Sequence, residues 1–265
     1  GVWAAKAIKE AKRFGTVNVV SSSKADVYNH IPKDFKQTEG AAYLHVTSNN
    51  TIYGTQWKNF PEAATYLVAD MSSDILSRKI DVSKFGLIYA GAQKNMSCAG
   101  VTLAIIRKDI LGKVERSIPT MLDYATHIPE HSMFNTPPVF PIYVMNRTLS
   151  WLKENGGVDA MEALNNKKSG ILYDAIDNSK LFVGTAAKED RSTMNVPFIF
   201  NKDVVAQEKA DEFQKEFLAF TKERGLEQLK GHRSVGGFRA SIYNAMPLAG
   251  VEALVSAMDA FEKKV

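Results

Sequence analysis

The stretch that decides the fold is FGLIYAGAQKN, residues 85–95. It begins as an apolar run typical of a buried strand, and small Gly and Ala residues then mark the end of that strand. Lys94 follows at the point where the chain should emerge from the sheet. This position suits a lysine with a chemical role, such as the covalent anchor of a cofactor. The pattern alone also fits an ordinary solvated lysine.

Other short runs predict further strands around this one. Residues 66–70 (YLVAD) and 101–106 (VTLAII) are almost continuously apolar, which favours strands covered on both faces. Residues 17–20 and 41–46 are shorter β-type runs with polar ends. The intervening segments have room for helices or long loops. The first part of the chain is therefore predicted to be an α/β layered domain.

The later part of the chain has a different pattern. A long helix is predicted over residues 136–155, with prolines at its start and Gly156-Gly157 after its end. Beyond it, helical and strand-like segments alternate, which predicts a smaller α+β domain. We therefore place the domains at residues 1–155 and 156–265. The remaining predicted helices lie at 4–14, 158–176, 208–224 and around 251–261, and the remaining strands at 194–200 and 239–244.

Composition narrows the choice of function. The chain has 265 residues, is 45% hydrophobic and has a formal net charge of only +4, without a basic block, so nucleic acid is a poor candidate partner. No apolar run reaches the roughly 18 residues of a membrane span, and no secretory leader is visible at residue 1. The one cysteine cannot form an internal disulfide. These features predict a cytoplasmic protein, and a small anionic substrate fits them.

Asp70 and Lys94 form the main chemical pattern. Each residue ends or follows a predicted strand, so neighbouring strands would bring both side chains to the same rim of the sheet, where α/β folds bind ligands. A carboxylate and a lysine suit pyridoxal phosphate, because the carboxylate keeps the pyridine nitrogen protonated while the lysine forms the Schiff base. From the spacing alone, a simple ion pair or a solvated lysine is the favoured interpretation, because Asp and Lys residues are common at strand ends.

Four separated stretches carry a specific resemblance. They are DMSSDILSRKID (70–81), IYAGAQKN (88–95), SMFNTPP (132–138) and GHRSVGGFRASIYNA (231–245). Together, and in this order, they resemble the phosphoserine aminotransferase family. The resemblance implies fold type I of the pyridoxal-phosphate enzymes, with a mainly parallel central sheet flanked by helices and a smaller C-terminal domain.

The resemblance assigns roles around the cofactor. It makes Lys94 the Schiff-base lysine and Asp70 the partner of the pyridinium nitrogen. Trp3 matches the aromatic residue that stacks on the cofactor ring, and Thr51 matches the threonine that hydrogen-bonds the phenolic oxygen. Without the resemblance, Trp3 reads as an ordinary core residue and Thr51 as a turn residue.

The resemblance also assigns the cofactor phosphate. Gln93 and the segment around Ser72 match positions near that phosphate. Asn135 and Thr136 precede Pro137, which places them at a helix N-terminus that favours an anion, although Thr136 also fits a plain helix cap. In the family, these two residues reach the phosphate of the neighbouring subunit. A homodimer with shared active sites is therefore implied.

Substrate recognition is assigned to three basic residues. The resemblance places Arg239 on the substrate α-carboxylate, and His232 and Arg233 on a side-chain phosphate. Without it, such a cluster in a Gly-rich loop is more often a solvated turn. The implied reaction is transamination between L-glutamate and 3-phosphohydroxypyruvate, giving O-phospho-L-serine in serine biosynthesis, with a second use in pyridoxine biosynthesis left open.

Several alternatives stay open. A complete family member would have roughly a further half-domain before Trp3, so we expect this chain to be an N-terminally truncated fragment that is inactive alone. Another fold type I enzyme, such as a lyase or desulfurase, and a non-catalytic remnant of the fold are the competing interpretations. His127 and His131 have a zinc-like spacing, but Pro129 opposes a helix between them, so no metal site is predicted.

Overall fold

The computed structural model describes all residues from 1 to 265. It contains nine strands and six α-helices. The strands are β1 (Tyr43–Thr47), β2 (Asn49–Asn50), β3 (Thr55–Gln56), β4 (Tyr66–Asp70), β5 (Phe85–Gly91), β6 (Thr102–Ile106), β7 (Phe182–Gly184), β8 (Asn195–Phe200) and β9 (Phe238–Ser241). The helices are α1 (Val2–Ala11), α2 (Tyr124–His127), α3 (Val139–Glu154), α4 (Gly157–Asn178), α5 (Ala210–Lys222) and α6 (Leu248–Lys264).

The larger sheet has the order β1-β4-β5-β6. Its first three strands are parallel, and β6 pairs antiparallel with β5. The register aligns Thr47, Asp70 and Tyr89 across the three parallel strands, close to where each strand ends. The carboxyl ends of the parallel strands therefore meet at one edge of the sheet, as the sequence predicted for Asp70 and the segment that follows β5.

Two sequence predictions about strands are wrong. Residues 17–20 form no strand, and none of them takes part in a backbone–backbone hydrogen bond, so their β-branched residues have no pairing partner. The strand predicted over 101–106 exists as β6, but it is not covered on both faces. It lies at the edge of the sheet, and three of its five residues are exposed.

One hydrophobic cluster lies beneath the larger sheet. It is built from alternate residues of β4 and β5 together with residues of the turns that follow them, among them Leu67, Ile88 and Met96. The alternation follows from the pleat of a strand, which sends successive side chains to opposite faces. The residues on the opposite face, including Asp70 and Tyr89, are left for the site.

A second cluster lies under the antiparallel sheet β7-β8-β9. It is rich in phenylalanine, and Phe217 of α5 lies between Phe182, Phe238 and Phe261, with ring centroids 4.8–5.0 Å apart. Helix α6 contributes Val251, Leu254, Met258 and Phe261, all buried, which confirms the helical spacing seen in the sequence.

The link between α3 and α4 follows the predicted glycine pair. Gly156 and Gly157 have φ angles of +89° and +71°, a left-handed conformation that suits glycine and lets the chain turn sharply between the two helices. Helix α3 itself begins at Val139, with Pro138 as its N-cap and without a side-chain cap. The prediction that Asn135 and Thr136 lie at the N-terminus of this helix is therefore wrong by a few residues, and Thr136 does not cap it either. No helix is both long and apolar enough to cross a membrane.

Candidate active site

Lys94 lies in the turn after β5, and its side chain is half-buried. Its Nζ donates a hydrogen bond to Thr51 Oγ1 at 2.9 Å. Burial lowers the pKa of Lys94, the charge of Arg239 lowers it further, and the carboxylates of Asp70 and Asp74 oppose the shift. The amine thus lies where loss of its proton is easier than for a surface lysine, as a nucleophile or base requires.

Thr51 is held by a tight turn between β2 and β3. Gly54 closes this turn: its N–H donates to Asn50 O at 2.8 Å, and its φ is +73°. A Cβ at this position would come within 2.2 Å of Pro197 Cδ in β8. The turn is therefore seated directly against the smaller sheet, and only glycine fits there.

Asp70 is the last residue of β4. Its Oδ1 accepts a hydrogen bond from the N–H of Ser72 at 2.9 Å, and Ser72 Oγ accepts one from the N–H of Gly91 at 3.0 Å. The turn after β4 and the end of β5 are thereby joined. The structure brings Asp70, Ser72 and the Lys94 turn together at the edge of the sheet.

His45 and Tyr89 flank Asp70 on the same face of the sheet. His45 Nε2 and Tyr89 Oη are 3.0 Å apart. Burial lowers the pKa of His45, with Asp70 opposing the shift, while burial and the Asp70 charge raise the pKa of Tyr89. Burial in this pocket therefore favours the uncharged forms of both His45 and Tyr89.

Arg239 lies on β9, opposite Pro197 of β8, and is half-buried. Its Nε is buried without a hydrogen-bond partner, so the guanidinium retains a donor for an incoming anion. Tyr243 and Asn244 follow it in the chain, and the N–H of Asn244 donates to Asn95 Oδ1 at 3.1 Å, which brings this segment to the turn that carries Lys94. Tyr243 Oη in turn accepts a hydrogen bond from Asn195 Nδ2 at 3.1 Å.

His232 and Arg233 lie in the loop before β9. His232 Nδ1 is 2.7 Å from Ser234 Oγ, and Arg233 is exposed. Tyr53 Oη, from the turn that also carries Thr51, is 3.5 Å from Ser234 Oγ. This contact connects the basic loop to the neighbourhood of Lys94, while the Arg233 side chain extends into solvent.

Trp3 and Gln93 lie at the borders of the region. Trp3 is 44% exposed on α1, with Lys6 Nζ 4.4 Å from its ring centroid. It lines a cavity of about 190 Å³ that also includes His45 and Thr47, which lie on β1 beside the Asp70 strand. Gln93 is exposed, and its side chain folds back over Gly91.

Asn135 and Thr136 are not brought to this region. Both are exposed, and Asn135 Nδ2 makes its hydrogen bond to Met121 Sδ, 3.1 Å away within the segment before α3. No contact joins either residue to Lys94 or Asp70. Within one chain, these two predicted residues lie apart from the rest of the site.

Sequence reasoning missed a buried polar group beneath the site. Asp74 accepts hydrogen bonds from Ser48 Oγ and, at 3.1 Å, from Gln56 Nε2. Burial raises its pKa, and the two hydrogen bonds oppose that shift. A second Asp four residues after Asp70 was the available signal, but nothing in the sequence shows that it turns inward. No three His, Cys, Asp or Glu side chains are grouped to hold a metal ion.

Comparison with known proteins identifies the class. The sequence profile described as Aminotransferase class-V matches residues 1–254. The chain therefore belongs to the class-V aminotransferases, a family of pyridoxal-phosphate-dependent transaminases. Its mainly parallel sheet with flanking helices is the fold type I arrangement of these enzymes.

Within the class, the similar proteins are phosphoserine aminotransferases. The chain is 58% identical to the phosphoserine aminotransferase of Parabacteroides distasonis, over 100% of this chain and 73% of that protein. The solved phosphoserine aminotransferase from Bacillus circulans subsp. alkalophilus is 46% identical with a TM-score of 0.93, covering 100% of this chain and 72% of the other. The pyridoxal-phosphate-bound enzyme from Trichomonas vaginalis is 42% identical with a TM-score of 0.91, covering 98% and 73%.

The residues present fit pyridoxal phosphate. The half-buried amine of Lys94 donates to the Thr51 hydroxyl. Asp70, at the end of the neighbouring strand, uses one carboxylate oxygen for Ser72 and keeps the other free. An amine whose pKa is lowered by burial is the group that an aldehyde needs, and a carboxylate is the group that a pyridinium N–H needs. Lys94 and Asp70 would therefore hold the two ends of the cofactor's ring system.

Proposed function

We propose that the protein catalyses transamination between L-glutamate and 3-phosphohydroxypyruvate, giving O-phospho-L-serine and 2-oxoglutarate. The observation that carries this proposal is the convergence of three separate segments, those of Lys94, Asp70 and Arg239. Hydrogen bonds through Ser72 join the Asp70 turn to the end of β5, and the N–H of Asn244 donates to Asn95 Oδ1 beside Lys94. The names of the similar proteins support the choice of substrates, and they do not favour a lyase or a desulfurase.

The chemistry divides between the cofactor and the chain. Pyridoxal phosphate supplies, when bound, an aldehyde that bonds to amines and a protonated ring that withdraws electrons from the substrate α-carbon. Lys94 Nζ would hold and move the proton of the substrate α-carbon, as a group with a lowered pKa is suited to do. Asp70 keeps the ring nitrogen protonated, and Thr51 orients the lysine amine through the 2.9 Å hydrogen bond.

Substrate binding is proposed for the basic residues. The unpartnered Nε and the planar fork of Arg239 suit the α-carboxylate that both substrates carry. His232 and Arg233 are proposed to bind the phosphate of one substrate or the side-chain carboxylate of the other. Trp3 is proposed to cover the cofactor ring, and Gln93 with Ser72 to donate to its phosphate.

The separation of Asn135 and Thr136 from the site supports a proposed homodimer. Helix α3, which follows them, exposes large apolar side chains at Val139, Phe140 and Tyr143, with 60–68% of each accessible. Contiguous exposed apolar surface of this kind marks protein contacts. We propose that a second copy covers this face, so that Asn135 and Thr136 reach the cofactor phosphate of the partner subunit.

Three further proposals complete the assignment. The domain division at residues 155 and 156 is supported by the two separate hydrophobic clusters. A cytoplasmic location is supported by the single cysteine, which forms no disulfide. A part in pyridoxine biosynthesis would need only a second phosphorylated 2-oxo acid of similar size, which the same basic residues would bind.

One assay tests the proposed function. The protein loaded with pyridoxal phosphate is mixed with L-glutamate and 3-phosphohydroxypyruvate, and O-phospho-L-serine is followed by phosphorus NMR. The substrate assignment predicts product from wild type and none from Lys94→Ala, and product from the 265-residue chain would contradict the expectation that it is inactive alone. A wild-type protein that exchanges its amino group with L-glutamate, yet releases no O-phospho-L-serine, would refute the substrate assignment.

A further inference from the structure

Three buried asparagines bind three consecutive carbonyl groups in the turn after Asp70. Asn95 Nδ2 donates to the carbonyl of residue 75 at 3.0 Å, Asn244 Nδ2 to that of residue 76 at 2.9 Å, and Asn165 Nδ2 to that of residue 77 at 3.0 Å. The three side chains come from the turn after β5, the segment after β9 and helix α4. We call Asn95, Asn165 and Asn244 the asparagine clamp.

The members of the clamp also bind each other. Asn95 Oδ1 accepts from the backbone N–H of Asn244 at 3.1 Å, and Asn244 Oδ1 accepts from Asn165 Nδ2 at 2.9 Å. All three are at most 6% exposed. Buried amides are costly unless they are hydrogen-bonded, so a network of this density is a specific feature of the fold.

Three of the segments that the clamp joins lie close in the sequence to a proposed site residue. Asn95 directly follows Lys94, residues 75–77 follow Asp70 through one turn, and Asn244 lies five positions after Arg239. The middle carbonyl belongs to Leu76, whose φ of +59° is strained for a bulky side chain. The clamp's hydrogen bonds on both sides of Leu76 compensate for that strain and fix the path of the turn.

Lys168 supports the clamp from the other side. This lysine of α4 is fully buried, and its Nζ donates to the carbonyls of Ile242, Tyr243 and Met246 at 2.8–3.1 Å. The segment that carries Asn244 is thus held between Lys168 and the turn after β4. Motion of the Arg239 strand relative to Lys94 would require several buried hydrogen bonds to break together.

We propose that the asparagine clamp is a positioning device that sets the separation between Arg239 and the Lys94 amine. This inference rests on the proposed function, because it takes Arg239 as the ligand of the substrate α-carboxylate. The clamp residues themselves touch no reacting atom. Their effect is to keep the carboxylate-binding fork and the proton-transferring amine in one fixed geometry, on which the rate of a positioned proton transfer depends.

The test uses Asn165→Ala with a matched control on the same helix. Asn165 Oδ1 has no partner, so the substitution removes only the two donated hydrogen bonds and side-chain volume. Asn178→Ala is the control, because Asn178 is exposed and bonds only to Asp174 O within α4. If Asn165→Ala fails to fold, Asn165→Ser, which keeps a hydroxyl donor, takes its place.

Two readouts separate a positioning role from a merely structural one. Amide hydrogen exchange should accelerate about tenfold in residues 94–97 and 239–246 together in Asn165→Ala, and in neither segment in the control. The KM for L-glutamate should rise about tenfold in Asn165→Ala. In an Arg239→Ala background, the same substitution should add little further loss, because the geometry that it disturbs no longer binds the carboxylate.

The outcomes are distinct. An unchanged rate of amide hydrogen exchange in either segment of Asn165→Ala would refute the proposal. An unchanged KM for L-glutamate together with accelerated exchange would also refute it. A full additional loss in the Arg239→Ala background would also overturn the positioning role. If wild type makes no O-phospho-L-serine but still exchanges its amino group with L-glutamate, the proposed substrate pair fails while the clamp is still judged by all these readouts.

Discussion

Lys168→Met should change the way in which stability depends on pH. Burial lowers the pKa of Lys168 from 10.5 to about 8 in the folded protein. The unfolded chain therefore binds more protons than the folded chain between these two values, and wild-type stability must rise with pH across that window. Methionine keeps the aliphatic volume of the side chain but does not titrate, so this contribution disappears in the variant.

The expected size follows from the two pKa values. One pKa unit corresponds to about 1.4 kcal/mol, and between pH 7.5 and 9.5 the linkage relation gives a wild-type gain of about 2 kcal/mol relative to Lys168→Met. The measurement is the free energy of unfolding from urea titrations of both proteins at the two pH values. Other titrating groups are common to both proteins and cancel in the difference.

A flat difference between the two profiles would refute this reasoning. It would mean that the three carbonyl acceptors of Lys168 stabilise the ammonium enough to cancel the effect of burial. Lys167→Met is the matched control, because Lys167 is the adjacent lysine of α4 and is exposed. Its pH profile should parallel that of wild type.

Three further changes have expected outcomes. Phe217→Ala should lower the free energy of unfolding by about 3–5 kcal/mol in urea titrations, because a fully buried ring is removed, whereas Phe213→Ala, on the same helix but only partly buried, should cost clearly less; equal losses would contradict this account of the core. Arg239→Lys should raise the KM for L-glutamate in steady-state assays, because lysine lacks the planar fork, and an unchanged KM would remove Arg239 from the carboxylate site. Phe140→Asp should shift a dimer to monomer in analytical ultracentrifugation, since it places a charge on an exposed apolar face, and a persistent dimer would move the interface away from α3.

Local pattern was enough to predict the central part of the fold. The strand at 66–70 was predicted with its observed bounds, and the apolar run that begins the stretch 85–95 forms β5, which ends at Gly91 as the Gly and Ala residues indicated. Both are short apolar runs with clear end signals, which is the case where sequence is most informative. The parallel pairing of the strands was expected from the family resemblance, because local pattern does not show which strands pair.

Pairing partners and burial could not be predicted in the same way. Residues 17–20 have the composition of a strand but no neighbour with which to pair, and β6 is apolar yet exposed at the sheet edge. A strand is defined by contacts with distant segments, so its own residues cannot decide whether it forms. The helix predicted from residue 136 begins at Val139, because residues 136–138 have no helical structure and each of the residues 136 and 137 precedes a proline, which disfavours the helical conformation.

The supporting polar network was also invisible in the sequence. Lys168 reads as one more solvated helical lysine, and Asn165 and Asn244 are separated by 79 positions. Only the fold brings them to the turn after Asp70. Asn95 and Asn244 lie inside two of the quoted stretches, but nothing in those stretches indicates a positioning role, and Asn165 and Lys168 lie outside all four.

The seat of Gly54 against β8 limits how this protein can vary. Even one added methyl group at position 54 would collide with Pro197, so a substitution there would displace the Thr51 turn from the smaller sheet. The collision would separate the hydroxyl partner of Lys94 from the half of the molecule that carries Arg239. Residues 51–56 are all buried, so this turn lacks the freedom of an exposed loop and is a point of low mutational tolerance.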